Sequence, residues 1–163
     1  MSRTDATATP GLRAVQVDDP RQVFARVPFM NMLQMRRDHS QGGKARMSID
    51  ARAELGNVIG ALHGGVVVTL MDVAMASAAV SHVDFSRTAV SLTLTTSFLA
   101  PGTGTLTCDG ELLSSDGQVA YCSAIVRDEA GRTAATGQGS FRYLPLPVNP
   151  WPSPEPRPNR SPP

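Results

Sequence analysis

The sequence predicts an α+β fold in which one antiparallel sheet packs against a single long helix. Three observations lead to this prediction. From Val66 to Val80 the residues are apolar or small, apart from one aspartate, for about four helical turns, which fits a buried helix rather than a strand. A pair of strand-like segments precedes this helix, and strand-like segments separated by turns follow it. A chain of 163 residues is also long enough to bury the core of one domain.

The elements before the helix are short. Val27 to Leu33 is predicted to form a turn of helix that leads into a strand. Leu33 to Arg37 and Lys44 to Ile49 are predicted strands, joined as a hairpin by the glycine-containing turn Ser40 to Gly43. A loop from Asp50 to Leu62 then brings the chain to the helix.

The elements after the helix are strands. In the first of them, apolar residues alternate with serine and threonine, and many residues are β-branched, which is typical of a strand. Turn residues such as Ser114-Ser115-Asp116-Gly117 separate the later strands, and these are expected to follow one another as a meander. The predicted strands are Thr88 to Leu99, Leu106 to Leu113, Val119 to Val126 and Thr133 to Tyr143.

The composition predicts one globular domain, residues 25–144, between two less regular ends. Residues 1–24 read as a flexible arm without the apolar core of a signal peptide, so a cytoplasmic location is expected. Residues 145–163 hold nine of the thirteen prolines and read as a disordered tail. With a net charge of +1, no basic run and only 5% aromatic residues, the chain is not expected to bind nucleic acid.

Two polar features stand out around the long helix. Asp72 is the one charge within it, and a buried carboxylate must be hydrogen-bonded, neutralised or turned toward a partly wet cleft. This charge and the short length of the run argue against a membrane span. The helix begins at His63-Gly64-Gly65, where unpaired N–H groups favour negative charge. Asp72 lies about 12 Å beyond Gly64, so if the two groups cooperate, a twofold dimer is the natural arrangement.

These residues resemble a known family. Asn57, His63-Gly64-Gly65 and Asp72, followed by strands that carry Val90-Ser91 and Phe98-Leu99-Ala100-Pro101-Gly102, look like the hotdog-fold acyl-CoA thioesterases. The similarity is to the phenylacetate-pathway (PaaI-like) branch and covers about residues 27–144. It implies a curved sheet that wraps around the helix, with two subunits pairing their sheets. It also implies a homodimer, alone or as a dimer of dimers, and hydrolysis of an acyl-CoA substrate without a cofactor.

The resemblance also implies roles for five residues. The Gly64 amide and the Asn57 side chain would polarise the thioester carbonyl, and Asp72 of the partner subunit would act as nucleophile or general base. Ser91 aligns with a serine that helps to place water, although one extra residue separates it from Asp72. His63 would orient substrate or shape the helix start, the alternative being a plain capping residue. For Asn57 and Asp72 the alternatives are a turn residue and a structural carboxylate.

Residues that contact substrate are predicted with less detail. Gly65, Met75, Phe98 and Arg87 are the candidates, with Met75 and Phe98 lining the acyl pocket and Arg87 near the coenzyme A phosphates. Arg127 and Arg142 are further candidates by charge, whereas a basic position near the end of the last strand in some relatives is Gly139 here. Cys108 and Cys122 are expected to be reduced packing residues, and the three scattered histidines lack metal-ligand spacing.

Two other functions remain open at this point. A hotdog domain can capture an acyl-CoA without cleaving it, and a related acyl-thioester dehydratase or hydratase would use a catalytic histidine paired with an acid. A pure binder need not keep Asn57, Gly64 and Asp72 together, and the spacing of nine residues between His63 and Asp72 fits the dehydratases poorly. Hydrolysis therefore remains the leading hypothesis.

Overall fold

Six antiparallel strands and one long helix form the fold in the computed structural model, which describes residues 19–146. The sequence prediction of one antiparallel sheet packed on a single long helix is confirmed. In chain order the elements are α1 (Val23–Arg26), α2 (Pro28–Leu33), β1 (Arg36–Gln41), β2 (Lys44–Asp50), α3 (Gly64–His82), β3 (Arg87–Phe98), β4 (Thr105–Ser115), β5 (Val119–Arg127) and β6 (Thr133–Pro145). Two 3₁₀ turns, Pro20–Gln22 and Ala53–Leu55, complete the described chain.

The strand order is β1-β2-β4-β5-β6-β3. The predicted meander is therefore correct for β4, β5 and β6, but β3 does not join it in sequence order. Instead, β3 pairs with β6 along its whole length, for example Ser91 with Phe141, and β2 pairs with β4. The two edges of the sheet are consequently β1 and β3. Local alternation of apolar and polar residues identifies the strands, but it does not indicate which strands pair with each other in the sheet.

Helix α3 lies directly against the sheet because small residues face each other where they cross. Ala74, Ala78 and Ala79 are fully buried on the helix. On β4, Gly110 has no side chain, and a Cβ atom added there would lie 2.5 Å from the carbonyl oxygen of Ala74. By length and composition α3 would also meet the requirements of a membrane span, yet 44% of that stretch is buried within this fold.

The hairpin between β1 and β2 is tighter than predicted. Gly42 and Gly43 both have positive φ, 59° and 85°, which is the backbone geometry of a two-residue type I′ turn. Strand β1 starts at Arg36 rather than at Leu33, because α2 continues to Leu33 and ends where Gln34 adopts the left-handed conformation (φ 54°). Leu33 is thus a buried core residue at the end of a helix.

The ends of the described chain differ partly from the prediction. Residues 19–24, which the sequence assigns to the flexible arm, include a 3₁₀ turn whose first amide is capped by Asp19 and the start of α1. Phe24 packs against the hydrophobic core, which gives this segment a fixed place. At the other end β6 continues to Pro145, one residue into the proline-rich segment. Residues 1–18 and 147–163, and the predictions made for them, lie outside the described residues.

Candidate active site

The start of α3 presents one free amide. His63 caps the helix, and its Nδ1 accepts a hydrogen bond of 3.0 Å from the Gly65 N–H. The carbonyl of His63 accepts from the next two amides, those of Val66 and Val67. Of the first four amides of the helix, the Gly64 N–H is the one with no hydrogen-bond acceptor among residues 19–146. Such a group, at the positive end of a helix, suits a developing negative charge.

Asn57 lies in the loop that leads to this helix start. Its Oδ1 accepts hydrogen bonds of 3.0 Å from the backbone N–H groups of Ile59 and Ala61, which folds the loop into a turn. Asn57 is therefore the turn residue that its sequence context suggests. Its Nδ2 donor takes no part in these bonds, and the side chain lines the same cleft as Gly64. The turn geometry thus leaves the amide nitrogen available to a ligand.

Asp72 lies two turns further along α3 and is half-buried. Its Oδ1 accepts a hydrogen bond of 2.5 Å from the hydroxyl of Ser91 on β3. A charge-assisted hydrogen bond of this kind holds a carboxylate in one orientation. The structure therefore brings together two of the predicted residues that lie 19 positions apart in sequence.

Asp72 and Gly64 open on two different clefts. We call the first the carboxylate cleft, with a volume of about 280 Å³, and the second the helix-mouth cleft, with a volume of about 380 Å³. The carboxylate cleft is lined by Asp72 and by residues of α1, α2, α3 and the start of β3. The helix-mouth cleft is lined by Asn57, by Gly64, and by the end of β3 with the segment that follows it, from Phe98 to Gly102. One chain does not place the carboxylate beside the free amide.

The candidate substrate contacts are dispersed. Phe98 lines the helix-mouth cleft, and its ring lies so close to Gly64 that a Cβ atom there would be 3.3 Å away. Gly65 is exposed, but its amide is used by the His63 cap. Met75 is fully buried in the core and lines neither cleft, because it points from α3 toward the sheet.

Two of the three candidate arginines are already engaged with other groups of the protein. Arg87 lines the carboxylate cleft, where its guanidinium donates to the Gly117 carbonyl at 2.7 Å and lies 4.4 Å from the centre of the Tyr143 ring. Arg127 forms an ion pair of 3.3 Å with Asp109 on the neighbouring strand. Arg142 is exposed near the end of β6. The structure does not gather these three side chains into one anion site.

Three residues of the carboxylate cleft were missed by the sequence analysis. Arg37 of β1 lies 5.5 Å from the centre of the Phe24 ring and 5.8 Å from that of Phe85, and its burial lowers the pKa of its guanidinium. Phe24 falls within the segment assigned to the arm, and Phe85 follows the helix in a positive-φ turn. The clustering of two aromatics and an arginine around one helix is a tertiary contact that no local spacing reveals.

The two cysteines are buried in the core and line neither cleft. Cys108 and Cys122 are free and buried, and burial raises the pKa of both thiols, that of Cys122 to about 12. Thiols in this state are poor nucleophiles. Within residues 19–146, no group of three histidine, cysteine, aspartate or glutamate side chains is placed to hold a metal ion.

Comparison with solved structures identifies the fold. A conserved protein from Pseudomonas aeruginosa has a TM-score of 0.70 and 27% identity, over 72% of this chain and 94% of its own. A thioesterase family protein from Silicibacter pomeroyi has a TM-score of 0.72 and 25% identity, over 77% and 96%. The PaaI protein from the phenylacetic acid degradation operon of E. coli has a TM-score of 0.71 and 22% identity, over 76% and 89%.

Comparison with sequence families gives a consistent result. Residues 59–135 match the model of the thioesterase superfamily. This range includes Gly64, Asp72 and Ser91, and it begins two residues after Asn57. The sequence matches no protein of curated function. The chain therefore has the hotdog fold, which it shares with PaaI, and over residues 59–135 it is similar to the thioesterase superfamily.

Proposed function

We propose that this protein is an acyl-CoA thioesterase whose active site is completed by a second copy of the chain. Water adds to the thioester carbonyl carbon, the carbon–sulfur bond breaks, and the products are a free carboxylic acid and coenzyme A with its thiol protonated. The scheme calls for no cofactor, because coenzyme A enters as part of the substrate. The observation that carries this proposal is the separation of the Asp72 carboxylate from the free Gly64 amide, each at one end of the same exposed strand.

Strand β3 connects the two clefts. Its first residues, Arg87 to Ala89, line the carboxylate cleft, and its last residue, Phe98, lines the helix-mouth cleft. Two strands related by a twofold axis run antiparallel, so pairing of β3 with its copy sets the start of one strand beside the end of the other. The carboxylate cleft of one subunit then meets the helix-mouth cleft of its partner, which accounts for the separation within one chain.

The two edges of the sheet differ in a way that favours this pairing. Edge strand β1 has the sequence RRDHSQ, and charged side chains of this kind discourage further strands from adding. Edge strand β3 has twelve residues, none of them charged after Arg87, and it exposes Val90, Leu92 and Phe98 by 42%, 53% and 56%. A long, uncharged and partly apolar edge is an association surface.

Within the completed site each group has a defined task. The Gly64 N–H and the Asn57 Nδ2 donate hydrogen bonds to the carbonyl oxygen, which gains negative charge as the carbonyl is attacked. The Asp72 carboxylate attacks the carbonyl carbon directly or removes a proton from the attacking water. The Ser91 hydroxyl holds Asp72 in its orientation through their 2.5 Å hydrogen bond. Ser91 is therefore a positioning residue that acts through Asp72.

Thiol release from a panel of acyl-CoA substrates tests the proposal. We expect hydrolysis by the wild type, and we expect Asp72→Asn to lower kcat by about 10²- to 10⁴-fold, the usual effect of removing a general base. The matched control is Asp109→Asn, because Asp109 is a carboxylate that forms ion pairs on β4 and lines neither cleft. Full activity of Asp72→Asn, or absence of turnover by the wild type on the whole panel, would exclude this function.

A further inference from the structure

The carboxylate cleft extends well beyond the proposed reaction centre. Resting on the proposed thioesterase function, we propose that this cleft is the acyl-binding subsite. We further propose that it selects an apolar acyl group of medium size, limited by Phe24 and Phe85. The N-terminal segment of the domain would thereby determine substrate specificity. Four features of the cleft support this assignment.

The first feature is the direction of the cleft. Its lining residues on α3 are Asp72, Val73, Ala76, Ser77 and Val80, which form one stripe along the helix. At 1.5 Å per residue, this stripe carries the cleft about 12 Å away from the carboxylate toward the C-terminal end of α3. A group attached to a carbonyl beside Asp72 would therefore run along the helix, over mostly apolar or small side chains.

The second feature is the wall opposite the helix. It consists of Val23 and Phe24 of α1, Val27, and Met30 of α2. Arg37 holds this wall in place: its guanidinium contacts the Phe24 ring and donates a hydrogen bond to the Arg21 carbonyl. An arginine engaged in this way covers apolar surface, and its charge is not free to bind an acidic group on a ligand.

The third feature is the far end of the cleft. Asp84 and Phe85 both have positive φ, 49° and 59°, which is an unfavourable conformation for residues other than glycine. This strained turn folds Phe85 back into the protein, where its side chain is buried and lies 5.6 Å from the Arg21 guanidinium. Strain of this kind is retained where a side chain must hold one position. Phe85 therefore closes the end of the cleft.

The fourth feature is size. An engineered apolar cavity of about 150 Å³ holds a benzene molecule. The carboxylate cleft, at about 280 Å³, has room for one aromatic ring with a short linker or for an aliphatic chain of similar volume. A long fatty acyl chain would exceed this space unless the wall moved. The apolar lining also disfavours a charged terminus on the acyl group.

Relative values of kcat/KM across five acyl-CoAs test the assignment: acetyl, hexanoyl, adipoyl, benzoyl and palmitoyl. Adipoyl matches hexanoyl in length but ends in a carboxylate. We expect the wild type to prefer hexanoyl or benzoyl over adipoyl and palmitoyl by about tenfold or more, given that one methylene in a fitted pocket changes specificity by about 10- to 200-fold. A preference for palmitoyl or adipoyl would overturn the proposal.

Two substitutions, one that enlarges the cleft and one that fills it, test where the subsite lies. Phe24→Ala should raise the palmitoyl to hexanoyl ratio by about tenfold, and Val80→Phe should lower the hexanoyl to acetyl ratio by a similar factor. The matched control is Phe29→Ala, since Phe29 is 47% exposed on α2 and does not line the cleft. We expect this variant to keep the wild-type profile. If Phe24→Ala and Val80→Phe also keep it, the subsite lies elsewhere.

Binding of non-hydrolysable S-alkyl-CoA thioethers separates this inference from the proposed function. Calorimetry with wild-type protein should show affinity that increases from ethyl to hexyl and falls for hexadecyl. That size profile without hydrolysis would support the subsite and reject the thioesterase activity. Hydrolysis combined with a thioether affinity that is independent of alkyl length would reject the subsite and leave the thioesterase assignment standing.

Discussion

At the scale of single residues, the Asn57 side chain carries an observed role in a turn and a proposed role in catalysis. Its oxygen accepts two backbone hydrogen bonds that shape the loop before α3. Its nitrogen is the proposed donor to the substrate carbonyl. The sequence leaves open whether Asn57 is a turn residue or a catalytic donor, and in the structure the turn uses only the side-chain oxygen. The two tasks can be separated because they use different atoms.

Asn57→Asp and Asn57→Ala test this separation. Aspartate keeps an oxygen for the Ile59 and Ala61 amides but lacks the N–H donor, whereas alanine lacks both. We expect Asn57→Asp to lower kcat by about 10²- to 10³-fold, the usual cost of one oxyanion donor, with a melting temperature close to that of the wild type. Asn57→Ala should lower both kcat and the melting temperature. Wild-type kcat for Asn57→Asp would show that the side chain acts only in the turn.

At the scale of secondary structure elements, the contact between α3 and β4 depends on the absence of a side chain. A Cβ at Gly110 would lie 2.5 Å from the carbonyl oxygen of Ala74, and this backbone atom cannot move without shifting the helix. Glycine is therefore required by the close approach, while its neighbour Glu111 faces solvent on the other side of β4. The two positions form a natural comparison.

Gly110→Ala should destabilise the protein by about 2 to 3 kcal/mol, near the upper end of the usual cost of overpacking, because the obstacle is helix backbone. Glu111→Ala removes one exposed ion pair with Lys44 and should change stability by less than about 1 kcal/mol. The measurement is the free energy of unfolding by chemical denaturation at equal protein concentration. A Gly110→Ala variant as stable as Glu111→Ala would contradict the close helix–sheet contact.

A second prediction at this scale concerns β1, β2 and β4. Arg36 donates to Asp50 at 2.6 and 3.0 Å and Thr105 donates at 2.8 Å, which lowers the pKa of Asp50 from 3.8 to about 2. Because the pKa of Asp50 is lower in the folded state than in the unfolded state, its ionised carboxylate stabilises the fold at pH values above the unfolded-state pKa. This stabilisation is lost as the pH falls from about 4 to about 2. Because the Asp50 side chain is 57% exposed, screening limits the effect to less than about 1 kcal/mol.

Asp50→Asn should therefore be slightly less stable than the wild type at pH 7 and nearly equal to it at about pH 2. The measurement is the free energy of unfolding of both proteins across this pH range. Glu111→Gln serves as the control, because it also removes an exposed carboxylate from an ion pair but has no comparable set of donors. A difference that stays constant with pH would rule out the Asp50 contribution.

At the scale of the whole molecule, the proposed site exists only between two subunits. Mixing two inactive variants tests this directly: Asp72→Asn lacks the carboxylate, and Asn57→Asp lacks the donor. After joint refolding, half of the molecules are mixed dimers with one intact site each, so activity should recover to about a quarter of the wild-type value. Each variant refolded alone is the control. If mixed dimers show no recovery of activity, Asp72 and Asn57 of one site come from the same subunit.

The sequence by itself determined the elements and the candidate residues. Helix α3, the hairpin, the β4–β6 meander and the interest of Gly64 and Asp72 follow from local signals: apolar periodicity, glycine at turns, and a lone charge in an apolar helix. Asn57 joins these two residues through the resemblance to the thioesterases. Local signals act between residues close in sequence. For this reason they also identified the length of α3 to within two residues at each end, starting at Gly64 and ending at His82.

The tertiary structure alone decided which strands are neighbours and which distant side chains meet. The pairing of β3 with β6, the burial of Met75, the bond between Ser91 and Asp72, and the packing of Phe24 against Arg37 all join positions far apart in the chain. These contacts depend on how whole elements pack around one core, and many packings are compatible with the same local pattern. The separation of the two clefts is likewise a property of the folded sheet and helix, because only folding fixes which end of β3 each cleft occupies.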